Sequence, residues 1–349
     1  VFGVVTHGPV WLLLLCELAS PARRLFMRLR KTRMRLETSS AVAVALPPPI
    51  GDSLIGLVLV NNLIRNGYRP VVFGWVAEHL ADWLPGVDVR KPEGHTGAFD
   101  TVIELWKTDY AAALSRSGRT LSLDRFPEYS GSKHMVERIV DVATHVLQLR
   151  DVTRSNGLVV PAGVMRGRFA NRVAIHPTGS HPEKMWERDK FLALSRALMR
   201  RQLLPSFLVS PSEMSGWDDV AREGHEVNAL PRLGDVATWI AESSWFIGND
   251  SGLGHLASSL GVPTLTLFMR RGLARSWRPG WGPGAVVLPP ALVPSAALRE
   301  RLWKRLLTVR RVMSAFNALQ GASAREAHQA RPAARRDVDT AQATILPDA

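Results

Sequence analysis

The chain has 349 residues, 46% of them hydrophobic and 21% charged, with one cysteine and a net charge of +13. That length suits two α/β domains with sizeable cores better than one, and the lone Cys16 excludes an internal disulfide framework or a cysteine-rich metal site. The excess charge sits at the ends: residues 1–40 carry seven Arg or Lys against two acids, and residues 296–349 carry ten against five. The nearly balanced centre argues against a nucleic-acid partner, whereas basic ends suit an anionic surface such as a membrane leaflet.

Residues 1–40 read as a basic extension. Val10–Cys16 is an apolar run too short to span a bilayer, and its positive charges follow it, the wrong order for a signal peptide. Leu18, Ala22, Leu25, Phe26 and Leu29 share a helical face beside Arg23, Arg24, Arg28 and Arg30. Two readings stand: a helix lying on a membrane surface, or one packed on the first domain.

Residues 41–155 alternate strand and helix patterns. Strands are predicted over Ala41–Leu46, Pro70–Gly74, Val87–Arg90 and Thr101–Leu105, with helical pattern after Gly51-Asp52-Ser53 (Leu54, Leu57, Val58 and Leu63 inward), around Ala77–Leu84 and Ala111–Ser115, and over Met135–Leu149. The poorly patterned stretch Arg150–Phe169 is read as the connection into a second unit over residues 156–295. There the predicted order is strand Arg172–His176, helix Arg188–Arg201, strand Ser206–Ser210 and helix Asp235–Ala241. The alternation predicts parallel sheets covered by helices on both faces. Residues 296–320 read as a basic helix, and residues 321–349, nearly without large apolar groups, as disordered.

Trp245–Phe268, WFIGNDSGLGHLASSLGVPTLTLF, reads strand, turn, helix, strand. Gly248-Asn249-Asp250 breaks the first strand, Ser251 or Asp250 can cap the helix, and Gly261 and Pro263 end it. Such a turn aims free N–H groups at whatever lies beyond the strand, a site for phosphate, with Ser251, Gly252 and Gly254 small enough for close approach; a merely connecting turn is the alternative. Asp52, at another strand-to-helix turn, is either a general base or an N-cap. His176-Pro177-Thr178-Gly179-Ser180 also follows a strand and leads to Lys184 and Trp186. Lys184 is either a phosphate partner or a solvated loop lysine, and His255 either a ligand contact or a packing histidine. Glu104 is a secondary carboxylate candidate. No His-x-x-x-His spacing suggests a metal.

Three segments carry a family resemblance in order: IGDSLIGLVLVNNLIRNG (50–67), VAIHPTGSHPEKMWERDKFLALSRAL (173–198) and DSGLGHLASSLGVPTLTLF (250–268). Together they resemble the ADP-heptose:lipopolysaccharide heptosyltransferases, inverting glycosyltransferases of the GT-B fold. The resemblance implies an α/β protein with two Rossmann-like domains whose parallel sheets face a central cleft. The first domain would bind the acceptor and the second the nucleotide-sugar, with the C-terminal helix packing back across the cleft. It implies Asp52 as the base that deprotonates an acceptor hydroxyl, an ordinary carboxylate already ionised at neutral pH. Lys184 would balance charge on the departing diphosphate, with Thr178, Gly179, Ser180, Asp250, Ser251, Gly252, Leu253, Gly254 and His255 around the donor. No cofactor or metal is expected. The partners implied are ADP-heptose and an anionic glycolipid acceptor, at a cytoplasmic site with peripheral contact to the inner face of the inner membrane. A GT-B enzyme with another nucleotide-sugar, or a non-catalytic GT-B binding protein, is the alternative. One departure from the family pattern is Met269-Arg270-Arg271, where relatives often read Gly-Pro; Arg270, Arg271 and Arg275 could there reach an anionic ligand.

Overall fold

The structure is a computed structural model that describes residues 36–37, 40–290 and 296–329. The apolar–basic pattern before residue 36 and the tail beyond 329 lie outside the described residues. Among these residues eleven strands form two sheets, and every pairing is parallel. The first contains β1 (Val42–Ala45), β2 (Val71–Phe73), β3 (Asp88–Arg90), β4 (Thr101–Glu104) and β5 (Leu121–Ser122) in the order β3-β2-β1-β4-β5. The second contains β6 (Phe169–His176), β7 (Leu204–Val209), β8 (Glu226–Ala229), β9 (Ser243–Asn249), β10 (Thr264–Leu267) and β11 (Gly284–Val287) in the order β11-β10-β9-β6-β7-β8.

These strands are apolar runs rather than alternating ones because both faces are covered: every residue of β1 and of β10 is buried. The strands not predicted are the edge pieces. β5 has two residues, β8 is only half-buried, and β11 follows a stretch rich in Gly, Pro and Trp that masks it.

The helices of seven or more residues are α1 (Ile50–Arg65), α2 (Met135–Asp141), α3 (Arg188–Met199), α4 (Leu233–Ala241), α5 (Gly252–Ser259), α6 (Arg271–Trp277), α7 (Ala296–Leu306) and α8 (Val309–Gln329). The pattern over Met135–Leu149 divides into α2 and a π-helical turn, Val142–Val146. α1 is the central one. Its expected apolar side is too narrow: Ser53 to Val60 are all buried, because α1 packs on the first sheet, on α2 and on α5 of the second domain. One apolar cluster accordingly runs from Val42 and Val44 through Leu54, Leu57 and Val58 to Phe246, Leu256 and Ala257.

α1 also holds the connection between the domains. Asn62 donates to the Thr153 carbonyl and accepts from its N–H, at 2.9 and 2.7 Å, and Asn66 forms the same pair with Arg150, at 2.9 and 2.7 Å. Asn156 then reaches Ser259 of α5 at 3.0 Å. Amides that satisfy backbone groups in this way, buried at Asn62 and half-buried at Asn66, fix a loop that has no ladder of its own.

The C-terminal part differs from expectation. Instead of one helix lying back across the cleft, α7 and α8 stay with the second domain, α8 packing on α3, β10 and β11. Trp303, Leu307, Val312, Met313, Phe316 and Leu319 fill a core with Leu265, Leu267 and Val287, an apolar sheet face that would otherwise be bare. α8 also runs beyond Gly321 to Gln329, since Ala322, Ala324 and Glu326 are good helix formers even without large apolar groups.

Candidate active site

In open parallel sheets a ligand crevice forms beyond the strand ends where the winding changes direction. In the second sheet that point lies between the neighbours β6 and β9, with β7-β8 on one side and β10-β11 on the other. The segment after β6 carries Lys184, and the turn after β9 carries Asp250. In the first sheet the change falls at β1, between β2 and β4, and the turn after β1 carries Asp52.

Asp52 does not cap α1. The helix begins at Ile50, its N-cap is Pro49 with no side-chain capping bond, and Asp52 lies inside the first turn. Its Oδ1 is buried without a hydrogen-bond partner. Burial raises its carboxyl from 3.8 to about 7, with Lys184 pulling it down and Asp250 pushing it up. The ordinary carboxylate expected from sequence is thus displaced, because α1 is enclosed by both domains. Across the cleft, Lys184 Nζ stands 3.6 Å from Asp250 Oδ2. Burial also raises the Asp250 carboxyl, against the pull of Lys184.

α5 opens towards this group. Its N-cap, Ser251, makes no side-chain capping bond, and the Ser251 hydroxyl is buried without a partner. The N–H groups of that first turn therefore lack a side-chain cap, as at helix ends that receive anions.

The loop after β6 is anchored by a residue the sequence reading took only as a turn former. Asn249 is 1% exposed; its Oδ1 accepts from the Trp186 N–H at 3.0 Å, and its Nδ2 donates to the carbonyls of Pro177 at 2.8 Å and Thr178 at 3.4 Å. It ties the segment bearing Lys184 to the strand bearing Asp250. Glu213 was missed too: it accepts from the Thr178 hydroxyl at 3.0 Å and from the N–H and hydroxyl of Ser210 at 2.9 and 2.8 Å. Burial opposes its charge, yet those hydrogen bonds hold it below the usual glutamate value. Gly179 is open above, a Cβ there meeting only Met185 at 3.8 Å, and Ser180 bonds to His181 at the surface.

The remaining predicted residues sit differently. The space above Gly252 belongs to α1, not to a ligand: a Cβ there would fall 2.6 Å from Ile50 Cβ and 3.0 Å from the Gly51 nitrogen. Gly51 in turn abuts His255, whose Cδ2 would lie 3.0 Å from an added Cβ. Gly254 faces Pro279 and Thr266, and Leu253 packs against the apolar cluster. His255 is buried, edge-on to Trp281 and bonded to the Trp277 backbone. Burial, reinforced by His134, lowers it to about 4, so at neutral pH it carries no charge to offer a diphosphate. Its ring lies against Trp281 and Gly51, and its Nδ1 is buried without a hydrogen-bond partner.

Glu104 is buried and occupied, accepting from Thr108 and Thr120. Arg270 pairs with Glu300 of α7 at 2.7 Å, whereas Arg271 and Arg275 are exposed. Among the described residues no cluster of His, Cys, Asp or Glu is placed to hold a metal.

Three comparisons bear on this arrangement. Lipopolysaccharide heptosyltransferase 3 of Escherichia coli (strain K12) is 31% identical over 103 residues, a match spanning 28% of this chain and 30% of that relative's length. The structure of E. coli ADP-heptose lps heptosyltransferase II superposes with a TM-score of 0.63 at 16% identity, over 80% of this chain and 98% of that one. E. coli heptosyltransferase WaaC with ADP gives 0.62 at 15%, over 80% and 99%. Those likenesses establish the GT-B fold. The family model of glycosyltransferase family 9 (heptosyltransferase) matches residues 103–280, a little over half the chain, and the protein belongs to that family.

Proposed function

We propose that this glycosyltransferase moves a heptose from ADP-heptose to an anionic lipopolysaccharide-core acceptor with inversion at the anomeric carbon. The observation that carries this reading is the packing of Ile50 and Gly51, which lead into Asp52, against Gly252 and His255 of α5, the helix that follows Asp250 of the Lys184–Asp250 pair. Asp52, ionised above pH 7, accepts the proton of an acceptor hydroxyl as its oxygen attacks the anomeric carbon. The bond from that carbon to the diphosphate oxygen breaks, and the negative charge arriving on ADP is met by Lys184 and the first-turn N–H groups of α5. Asp250 holds Lys184 in place before the donor enters.

Support for the donor comes from two structural relatives, E. coli ADP-heptose lps heptosyltransferase II and E. coli heptosyltransferase WaaC with ADP. Support for an anionic acceptor comes from the exposed Arg271 and Arg275 of α6, the helix that follows β10. Contact with a lipid-borne acceptor is proposed to be peripheral and on the cytoplasmic side, through the basic ends of the chain; no helix among the described residues is long and apolar enough to cross a membrane. Titration calorimetry with ADP, GDP and UDP in EDTA tests the donor: ADP is expected to bind, and bind best. A strict metal requirement would remove the Lys184 mechanism, and a GDP or UDP preference would remove the heptose donor while leaving the fold and family in place.

Lys184→Ala is expected to weaken ADP and to slow transfer. A charge-assisted hydrogen bond is worth roughly 1.5–3 kcal/mol, a loss of about tenfold or more in affinity. Unchanged ADP affinity and kcat would return Lys184 to the status of a surface lysine.

A further inference from the structure

The loop that carries Lys184 is gripped a second time, from a part of the chain outside residues 103–280 matched by the family. Trp303 Nε1 of α7 donates to the Glu183 carbonyl at 2.9 Å, and Lys304 Nζ donates to the Pro182 carbonyl at 2.7 Å. In the opposite direction, Trp186 Nε1 of the loop donates to the Leu307 carbonyl, just past the end of α7, at 2.9 Å. The short helical turn Pro182–Lys184 thus has the two carbonyls immediately before Lys184 held by adjacent residues of one helix.

α7 is itself fastened on both sides. Glu300 pairs with Arg270, which follows β10. At the other end, Lys190 of α3 donates to the carbonyls of Lys304, Arg305 and Leu307, neutralising the negative end of the helix. Trp303 is 1% exposed within the second core. A side chain as flexible as lysine loses much rotamer freedom when it binds a diphosphate, so a rigid stem improves binding by reducing what remains to be ordered.

We propose that α7 is a clamp on the Lys184 loop and that Trp303 and Lys304 are positioning residues for the leaving-group lysine. The inference rests on the Lys184 role proposed above. It gives the Met269-Arg270-Arg271 departure a use: Arg270 anchors the clamp through Glu300 and is not directed at the donor.

The test is a double-mutant cycle on the full chain, with ADP as the probe in calorimetry and thermal unfolding recorded for every variant. Trp303→Phe removes the indole N–H while keeping an aromatic ring in the core. Lys304→Met acts at a partly exposed position and leaves the fold in place even if the first substitution does not. Each is expected to lower ADP affinity about three- to tenfold, as for loss of a hydrogen bond. In the Lys184→Ala background the same changes are expected to shift it less than about twofold, because there is no lysine left to position. Equal losses in both backgrounds would mean general loosening and overturn the clamp. A loss with Lys304→Met while Trp303→Phe is silent would point to bare charge and overturn it too. If Lys184→Ala itself leaves ADP affinity unchanged, the phosphate role of Lys184 falls; if Lys184→Ala weakens ADP while both α7 variants are silent, the clamp alone falls.

Discussion

Asp52→Asn is expected to lower kcat by about 10²–10⁴-fold, the range for loss of a general base, with ADP affinity nearly unchanged. The substitution is nearly isosteric, and Oδ1 has no hydrogen-bond partner for it to break. Its effect therefore falls on proton transfer and not on the fold. The pH profile sharpens the case. Burial holds the carboxyl at about 7, and only the ionised form accepts a proton, so kcat/KM is expected to rise with pH up to about 7 and then level off. In Asp52→Asn that rising limb should vanish. Stability has the opposite sign. Between 3.8, the ordinary value, and about 7 the folded state binds a proton at Asp52 that the unfolded chain does not, so stability contributed by this group falls as pH rises across that window. At pH 8 the variant should consequently melt no lower than the parent. A near-parental kcat, or a marked loss of melting temperature at pH 8, would remove Asp52 from the role of base.

The parts of this arrangement that were legible in the sequence are those written into local pattern. β1, β2, β4, β6, β9 and β10 are short apolar runs, and they fell within a residue or a few of their observed bounds. Asp52, Lys184 and Asp250 each follow such a strand, but their roles were read from the family resemblance of the segments that carry them. What the sequence could not show was the contact between the domains. Asp52 looked equally suited to capping because its burial comes from a second domain about 200 residues away in the chain, and burial is what shifts its carboxyl. Asn249 carried a signal, an Asn between Gly248 and Asp250, but that signal reads as turn chemistry until its three partners on the Lys184 loop are seen. α7 was read as part of one basic helix packing back across the cleft; the partners of Trp303 and Lys304 lie more than a hundred residues away, where periodicity is silent.

Gly252→Val is expected to abolish turnover and leave ADP binding in place, whereas the sequence pattern alone predicts loss of binding. The sequence pattern suggested a glycine kept small so that the diphosphate could approach the backbone. The structure places Ile50 and Gly51 there instead, with a Cβ falling 2.6 Å from Ile50 Cβ and 3.0 Å from the Gly51 nitrogen. Neither atom is the loose end of a side chain, so even alanine forces the start of α1 away from the start of α5, and valine forces it further. Asp52 lies one residue beyond Gly51 and moves with it, while Lys184 and Asp250 stay with the second domain. A displacement of about 1 Å between reacting groups can cost about 10²-fold in rate, which sets the least loss of kcat expected. Binding of ADP draws on Lys184 and the first turn of α5, all within the second domain, and should persist. Calorimetry and kcat measured on the same preparation separate the two accounts. Retained ADP affinity with collapsed turnover means that Gly252 governs how closely the domains dock. Loss of ADP binding together with turnover returns Gly252 to the donor site, and near-parental kcat would show that the α1–α5 contact does not set the distance between Asp52 and the leaving group.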